Sequence, residues 1–234
     1  MKHFFLSLLF LLPVCLLSQN LVPNPDFESY ADCPRGLGQF HLANSWTSPN
    51  AGTPDYFNDC STSLDYGTEF NKKGGQVAHS GHAYMGIQSE NLNRNEFYEY
   101  LEAPLAQPLV ADSFYCVKMF VSSGTSNAAL KNLGVVFSQI ELKNPPVSKI
   151  HIPCLPLGNG NILSDSVHWV CISGNYKARG GELFITIGDF STDNNFVTLP
   201  NAKENAAIFQ ESYYFIDDVS VEKTGDSKPC INKP

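Results

Sequence analysis

Runs of alternating, β-branched and aromatic residues recur near positions 83–88, 96–103, 113–122, 133–142, 167–176, 182–188 and 212–222. Alternation sends successive side chains to opposite faces, as a strand with one buried face requires. Helical periodicity is nearly absent. Between the runs lie SPNAGTPDYFND, NKKGG, SSGTSN, KNPP, PLGNGN and STDNN, in which Gly, Pro, Asn and Ser favour turns. Many short strands at close spacing leave few solutions, chiefly an antiparallel sandwich. The stretch WVCISGNYKARGGELFITIGDF reads as a hairpin, because Gly180 and Gly181 tolerate the positive φ of a tight turn.

Both ends carry further information. The opening MKHFFLSLLFLLPVCLLSQN has a basic start, an apolar stretch and a small residue at Ser18, the pattern of a secretory signal peptide cleaved near Gln19. No later apolar run is long enough for a membrane-spanning helix. The expected organisation is therefore a signal peptide over 1–18, one domain over 19–222 and an extended tail over 223–234. With a net charge of −8, the chain is a poor partner for nucleic acid or anionic lipid. Six cysteines follow the signal peptide. In an exported chain they point to disulfides, although six allow fifteen pairings. Cys33 and Cys60, both in loop-like sequence, are the first choice. Cys116 and Cys171 lie in strand-like runs and could instead be buried thiols, while Cys230 could staple the tail.

The run SYYFIDDVSVE poses a physical problem. If it is one regular strand, Tyr213, Phe215, Asp217, Val219 and Val221 share a face, so Asp217 interrupts an apolar row. A buried carboxylate needs a cation, an Arg or Lys, or a set of N–H donors.

Three stretches, NLVPNPDFE, HSGHAYMGI and YYFIDDVSVE, resemble the jelly-roll, galactose-binding-like modules related to carbohydrate-binding families. More narrowly, NLVPNPDFESYADCP, GHAYMGI, YCVKMFVS and YYFIDDVSVE look like a domain of exported Bacteroidetes proteins that often precedes an OmpA-like domain. The resemblance implies an all-β, antiparallel jelly-roll β-sandwich. It also implies a structural calcium ion, held by the acidic residue of the opening "FE" and an aspartate of the closing "DDV". Here these are Glu28 and Asp217, with Asp218 as the alternative aspartate. Backbone carbonyls around 79–81 and water would complete the oxygen shell that Ca²⁺ requires.

Function is expected to be binding, not catalysis. His79 and His82 flank a serine, but no strained elbow or further ligand accompanies them. Acidic residues that could form a glycosidase pair are present, yet no spacing brings two together. Sugar rings stack their C–H faces on Trp or Tyr, while amides and charged groups meet the hydroxyls. On that basis Trp46, Tyr56, Asn58, Arg94 and Tyr98 are the candidate ligand contacts, with core packing as the alternative for the aromatics. The expected partner is a glycan or a cell-envelope protein, in the periplasm, at the cell surface or outside the cell. A small glycan hydrolase or lyase on the same scaffold is the third possibility.

Overall fold

The computed structural model describes residues 19–92, 96–143, 146–158, 160–191, 195–200, 209–227 and 230. The signal-peptide reading over 1–18 and the candidate contact Arg94 lie outside these residues. The described strands are β1 (Asp55–Asn58), β2 (Ala83–Leu92), β3 (Glu96–Tyr98), β4 (Leu101–Pro104), β5 (Phe114–Ser123), β6 (Ala128–Leu130), β7 (Leu133–Ser138), β8 (Leu155–Leu157), β9 (Val170–Lys177), β10 (Phe184–Gly188), β11 (Phe196–Thr198) and β12 (Phe209–Thr224).

Among the described residues one antiparallel sheet runs β1-β2-β12-β5-β9, with β3 added to β2, and a second runs β4-β10-β7-β8. A small β11-β6 pair completes the set. The two main sheets form the expected jelly-roll β-sandwich. Their inner faces supply the apolar rows Tyr115, Val117, Met119 and Val121 from β5, and Leu133, Val135, Ile185 and Ile187 from β7 and β10. Each large side chain so buried stabilises the fold by about 1.5–3 kcal/mol.

β9 and β10 do not form the expected hairpin. β9 pairs with β5, and β10 pairs with β4 and β7. The glycine turn is instead a corner between sheets. Gly180 and Gly181 do adopt positive φ, at 102° and 83°, which is the part of the signal that holds. The corner is fixed by Glu182, whose carboxylate accepts from the Arg179 and Gly180 N–H groups at 2.7 and 2.8 Å and from the Tyr176 hydroxyl at 2.8 Å. Positive φ permits a tight turn; it does not choose which strands pair across it.

β12 is the central strand of the first sheet and is not regular. Its register with β5 shifts between Asp217 and Ser220, where Asp218 takes a φ of 48°. This β-bulge reverses which face the side chains meet. Before it, Tyr213 and Phe215 join Phe57 and Tyr84 in a second apolar cluster; after it, Val219 and Val221 belong to the main core. The single apolar row expected from strict alternation is therefore split. The second cluster is roofed by the segment before β2. Tyr84 ties that roof down, donating to Thr68 O at 2.6 Å and accepting from Asn71 Nδ2 at 2.9 Å, and Trp169 Nε1 donates to Val77 O at 2.8 Å.

Two disulfides join described residues, Cys33–Cys60 and Cys116–Cys230. The first is the expected pair. The second staples the tail to β5 and corrects the reading of Cys116 as a buried thiol. β12 itself continues to Thr224. Closing so long a loop constrains the unfolded chain. Cys230→Ser is expected to cost about 2–4 kcal/mol, measured by urea denaturation of the oxidised protein. A change below about 0.5 kcal/mol would show that the staple adds nothing.

Candidate functional site

A clasp between the ends of the chain and a cleft on the second sheet each gather polar side chains. The clasp begins with the opening segment, which runs beside the end of β12. Leu21 N donates to Val221 O and Val219 N to Pro25 O, both at 2.9 Å, while Asn20 bridges to Val219 and Val221. The segment is irregular, with positive φ at Asn24 and Phe27. It is held by Trp46 Nε1 donating to Asn24 O at 2.9 Å and Tyr56 Oη donating to Phe27 O at 3.0 Å.

Acidic groups from both ends meet the turn at 79–82. Asp217 Oδ2 accepts from His79 N at 2.9 Å and Ser80 N at 3.2 Å, and its Oδ1 from Asp218 N at 2.7 Å. Asp218 accepts from Ser80 Oγ at 2.8 Å and pairs with His79 Nδ1. Glu28 Oε1 accepts from His82 N at 2.6 Å, and a Cβ at Gly81 would overlap that carboxylate. A set of N–H donors is thus what meets Asp217. The residue is 0% exposed, and burial, then the neighbouring Asp218 charge, push its carboxyl up to about 8.

The donor set is hard oxygen, as Ca²⁺ prefers. Carboxyl groups crowd one turn: no described Lys or Arg lies within ion-pair distance of Glu28, Asp217 or Asp218, and His79 Nδ1 pairs with Asp218. Among the described residues, however, no three His, Cys, Asp or Glu side chains converge as a ready-made metal site. An ion here would therefore depend on backbone carbonyls and water as well as carboxylates.

The candidate sugar contacts are not brought to a surface. Trp46 is 2%, Tyr56 0%, Asn58 2% and Tyr98 2% exposed. Trp46 packs on Phe27 at 5.0 Å. Asn58 Nδ2 donates to Tyr56 Oη at 2.8 Å, and its Oδ1 accepts from Cys60 N at 2.8 Å. These side chains shape the opening segment and the loop after β1, so they present no ring face on which a sugar could stack. Burial favours the core-packing alternative for the three aromatics, Trp46, Tyr56 and Tyr98, and leaves Asn58 with no surface to present. The physical reason is that amphipathic residues with satisfied polar tips are as suitable for an irregular, loop-rich core as for a binding surface.

Tyr98 has a different position, beneath the cleft. Its ring lies 4.9 Å from Lys149 Nζ, and that ammonium reaches Asp189 Oδ2 at 2.9 Å and donates to Ser191 Oγ at 3.0 Å. The Lys149 and Asp189 side chains are only 7% and 1% exposed. Tyr100 supports the same floor: its hydroxyl donates to Asp189 O and accepts from Ile150 N, both at 2.9 Å, and its ring packs on Phe190 at 4.9 Å. Asn195 knits the far side, Nδ2 donating to Asn132 O at 2.7 Å and to Asp189 Oδ1 at 3.2 Å.

Above this floor is a cleft of about 650 Å³. Its walls come from the residues preceding and opening β7, the segment leading into β8 and the residues after β10. Lys131, His151, Pro153 and Pro156 line it and are exposed. Sequence reasoning missed the cleft, because its lining comes from three separated stretches without a shared motif. Asp189 was visible only as one acidic residue among many.

No helix among the described residues is long and apolar enough to cross a membrane. No family model matches the chain, and no curated protein matches it. Solved structures resemble it distantly. The carbohydrate-binding module TmCBM61, in complex with β-1,4-galactotriose, has a TM-score of 0.39 and 11% identity over 88% of this chain and 100% of its own. The N-terminal endo-1,4-β-D-xylanase 10B of Clostridium thermocellum, complexed with xylohexaose, has a TM-score of 0.44 and 14% identity over 89% of this chain and 29% of its own. The K3 cleaved adhesin domain of Lys-gingipain from Porphyromonas gingivalis has a TM-score of 0.41 and 13% identity over 88% of this chain and 98% of its own. Likenesses this distant do not carry a ligand across to this chain.

Proposed function

We propose that the protein is an exported, non-catalytic carbohydrate-binding domain whose ligand occupies the cleft on the second sheet. The cleft is the observation that carries this reading. Its volume of about 650 Å³ falls within the range of small-molecule sites. Its walls combine the rigid C–H surfaces of Pro153 and Pro156 with the polar groups of Lys131 and His151. Its floor is fixed by a buried ion pair, so little ordering is left to be lost on binding. Glycoside hydrolysis needs two carboxyl groups flanking the scissile bond. The described lining has one, Asp189, already engaged with Lys149. Disulfides suit an oxidising compartment, the periplasm or the cell exterior.

On a glycan array the mature chain is expected to retain at least one saccharide. His151→Ala is expected to weaken that binding about tenfold, or roughly 1.4 kcal/mol, without loss of the folded signal in circular dichroism. An empty array, or full binding by the variant, would count against the cleft. A second reading, contact with another envelope protein, is favoured by the exposed apolar side chains of Leu64, Phe70 and Val77 on the segment roofing the first sheet. It expects an empty array and co-purification of a stoichiometric partner.

The clasp is proposed to close on a structural Ca²⁺ ion, with Glu28 and Asp217 as the carboxylates that would hold it and Asp218 as the alternative. Three carboxyl groups around one turn, with no described Lys or Arg within ion-pair distance, support this, and the ion would hold Asp217 in its ionised form. Excess chelator is expected to lower the thermal unfolding midpoint by roughly 2–8 °C, the order expected for a loss of 1–2 kcal/mol in a domain of this size. An unchanged midpoint, with no calcium in elemental analysis of the purified protein, would end the proposal.

A further inference from the structure

One described side chain of the cleft lining, Lys131, carries a charge opposite in sign to that of the chain as a whole. The protein carries a net charge of −8, so its average field repels anions. Within the cleft the one acidic side chain of the described lining, Asp189, is neutralised by Lys149 at 2.9 Å. That lysine is itself fully used: its ammonium also donates to Ser191 Oγ and lies over the Tyr98 ring. Lys131 has no such partner among the described residues. It is exposed, it lines the cleft, and it forms no ion pair with a described residue. His151, also exposed on the wall, adds a ring N–H donor and contributes no negative charge.

An ammonium with no ion-pair partner among the described residues, beside a concave, C–H-rich wall, suits a ligand with an anionic substituent. A neutral sugar would gain only an ordinary hydrogen bond from it, whereas a carboxylate gains a charge-assisted one. We infer that the cleft selects acidic saccharides, with a uronate carboxylate held by Lys131 while the sugar ring lies along Pro153, Pro156 and His151. This inference rests on the glycan-binding reading above and narrows its ligand class.

The test is titration calorimetry of the mature chain, without added divalent cations, using trigalacturonate and galactotriose as a charged and a neutral trisaccharide. The uronate is expected to bind at least tenfold more tightly at low salt. Its advantage should shrink several-fold between 50 and 200 mM NaCl as the charge is screened. Lys131→Ala should bring the two ligands to similar affinity, and Lys131→Arg should preserve the preference. Equal or tighter binding of the neutral sugar, unaffected by Lys131→Ala, would overturn the acidic selectivity and leave the glycan reading standing. Binding of neither ligand, with no acidic or neutral saccharide retained on an array, would overturn both.

Discussion

Replacing Asp217 by alanine is expected to cost roughly 3–5 kcal/mol of stability, since each buried donor left without an acceptor costs about 1–3 kcal/mol. The carboxylate satisfies three backbone N–H groups, those of His79, Ser80 and Asp218. Two of them belong to the turn that Glu28 grips at His82. The third lies in the bulge that moves β12 from one apolar cluster to the other. Losing Asp217 therefore loosens three things together: the turn before β2, the bulge, and the track of the opening segment along β12. Relief of repulsion with Asp218 returns part of the loss, which keeps the expected value below the sum of three unpaired donors. Urea denaturation measures it. Asp218→Ala, which loses one side-chain bond and the half-exposed His79 pair, is expected to cost only about 1 kcal/mol. If the two variants were equally destabilised, Asp217 would not be the centre of the clasp.

Lys149→Ala is expected to destabilise by roughly 3–5 kcal/mol, because breaking a buried ion pair leaves the other charge without a partner. Asp189 would keep the Ser191 and Asn195 donors on Oδ1, at 2.7–3.2 Å, but lose the ammonium on Oδ2. The double replacement Lys149→Met with Asp189→Asn removes both charges while retaining an acceptor for Ser191 N. It is expected to lie within about 1–2 kcal/mol of the native protein. Chemical denaturation of the single and double variants measures this difference. Equal losses in both, although Met keeps the methylene packing that Ala removes, would show that the unpaired Asp189 charge is not what destabilises the single variant. The prediction also bears on function, since the pair ties the segment at 149–151 to that at 189–191 and so fixes two walls of the cleft. The single variant should therefore weaken saccharide binding even at temperatures where it remains folded.

The sandwich was legible in the sequence because side-chain alternation is a local property. The runs near 113–122, 133–142, 182–188 and 212–222 overlap β5, β7, β10 and β12. Pairing was less legible. The Gly180–Gly181 turn was read as a hairpin, but positive φ fixes a reversal and leaves the partners to be chosen by long-range packing. Strict alternation in SYYFIDDVSVE likewise missed the bulge at Asp217–Ser220, since an extra residue leaves no mark in a hydrophobicity pattern. The meeting of Glu28 and Asp217 at one turn came from the family resemblance and not from any spacing.

The ligand surface was the least legible part. Trp46, Tyr56 and Tyr98 have the residue types of a sugar platform, yet each is buried. An aromatic ring with a polar tip stabilises an irregular core segment by filling volume and capping a carbonyl, and sequence does not distinguish that use from an exposed one. The cleft residues gave the opposite difficulty. Lys131, His151 and Asp189 are individually unremarkable in sequence, and only the folding of β7, β8 and β10 into one sheet brings their neighbouring segments together.

Titration of the ¹⁵N-labelled mature chain with an oligosaccharide that it retains on an array, followed by amide chemical shifts, tests the cleft most directly. Saturable shifts are expected at Lys131–Gly134, His151–Cys154 and Asp189–Ser191, with the turn at 79–82 and the loop after β1 unmoved. Shifts concentrated instead around Trp46, Tyr56 and Asn58, with the three cleft segments silent, would contradict the account.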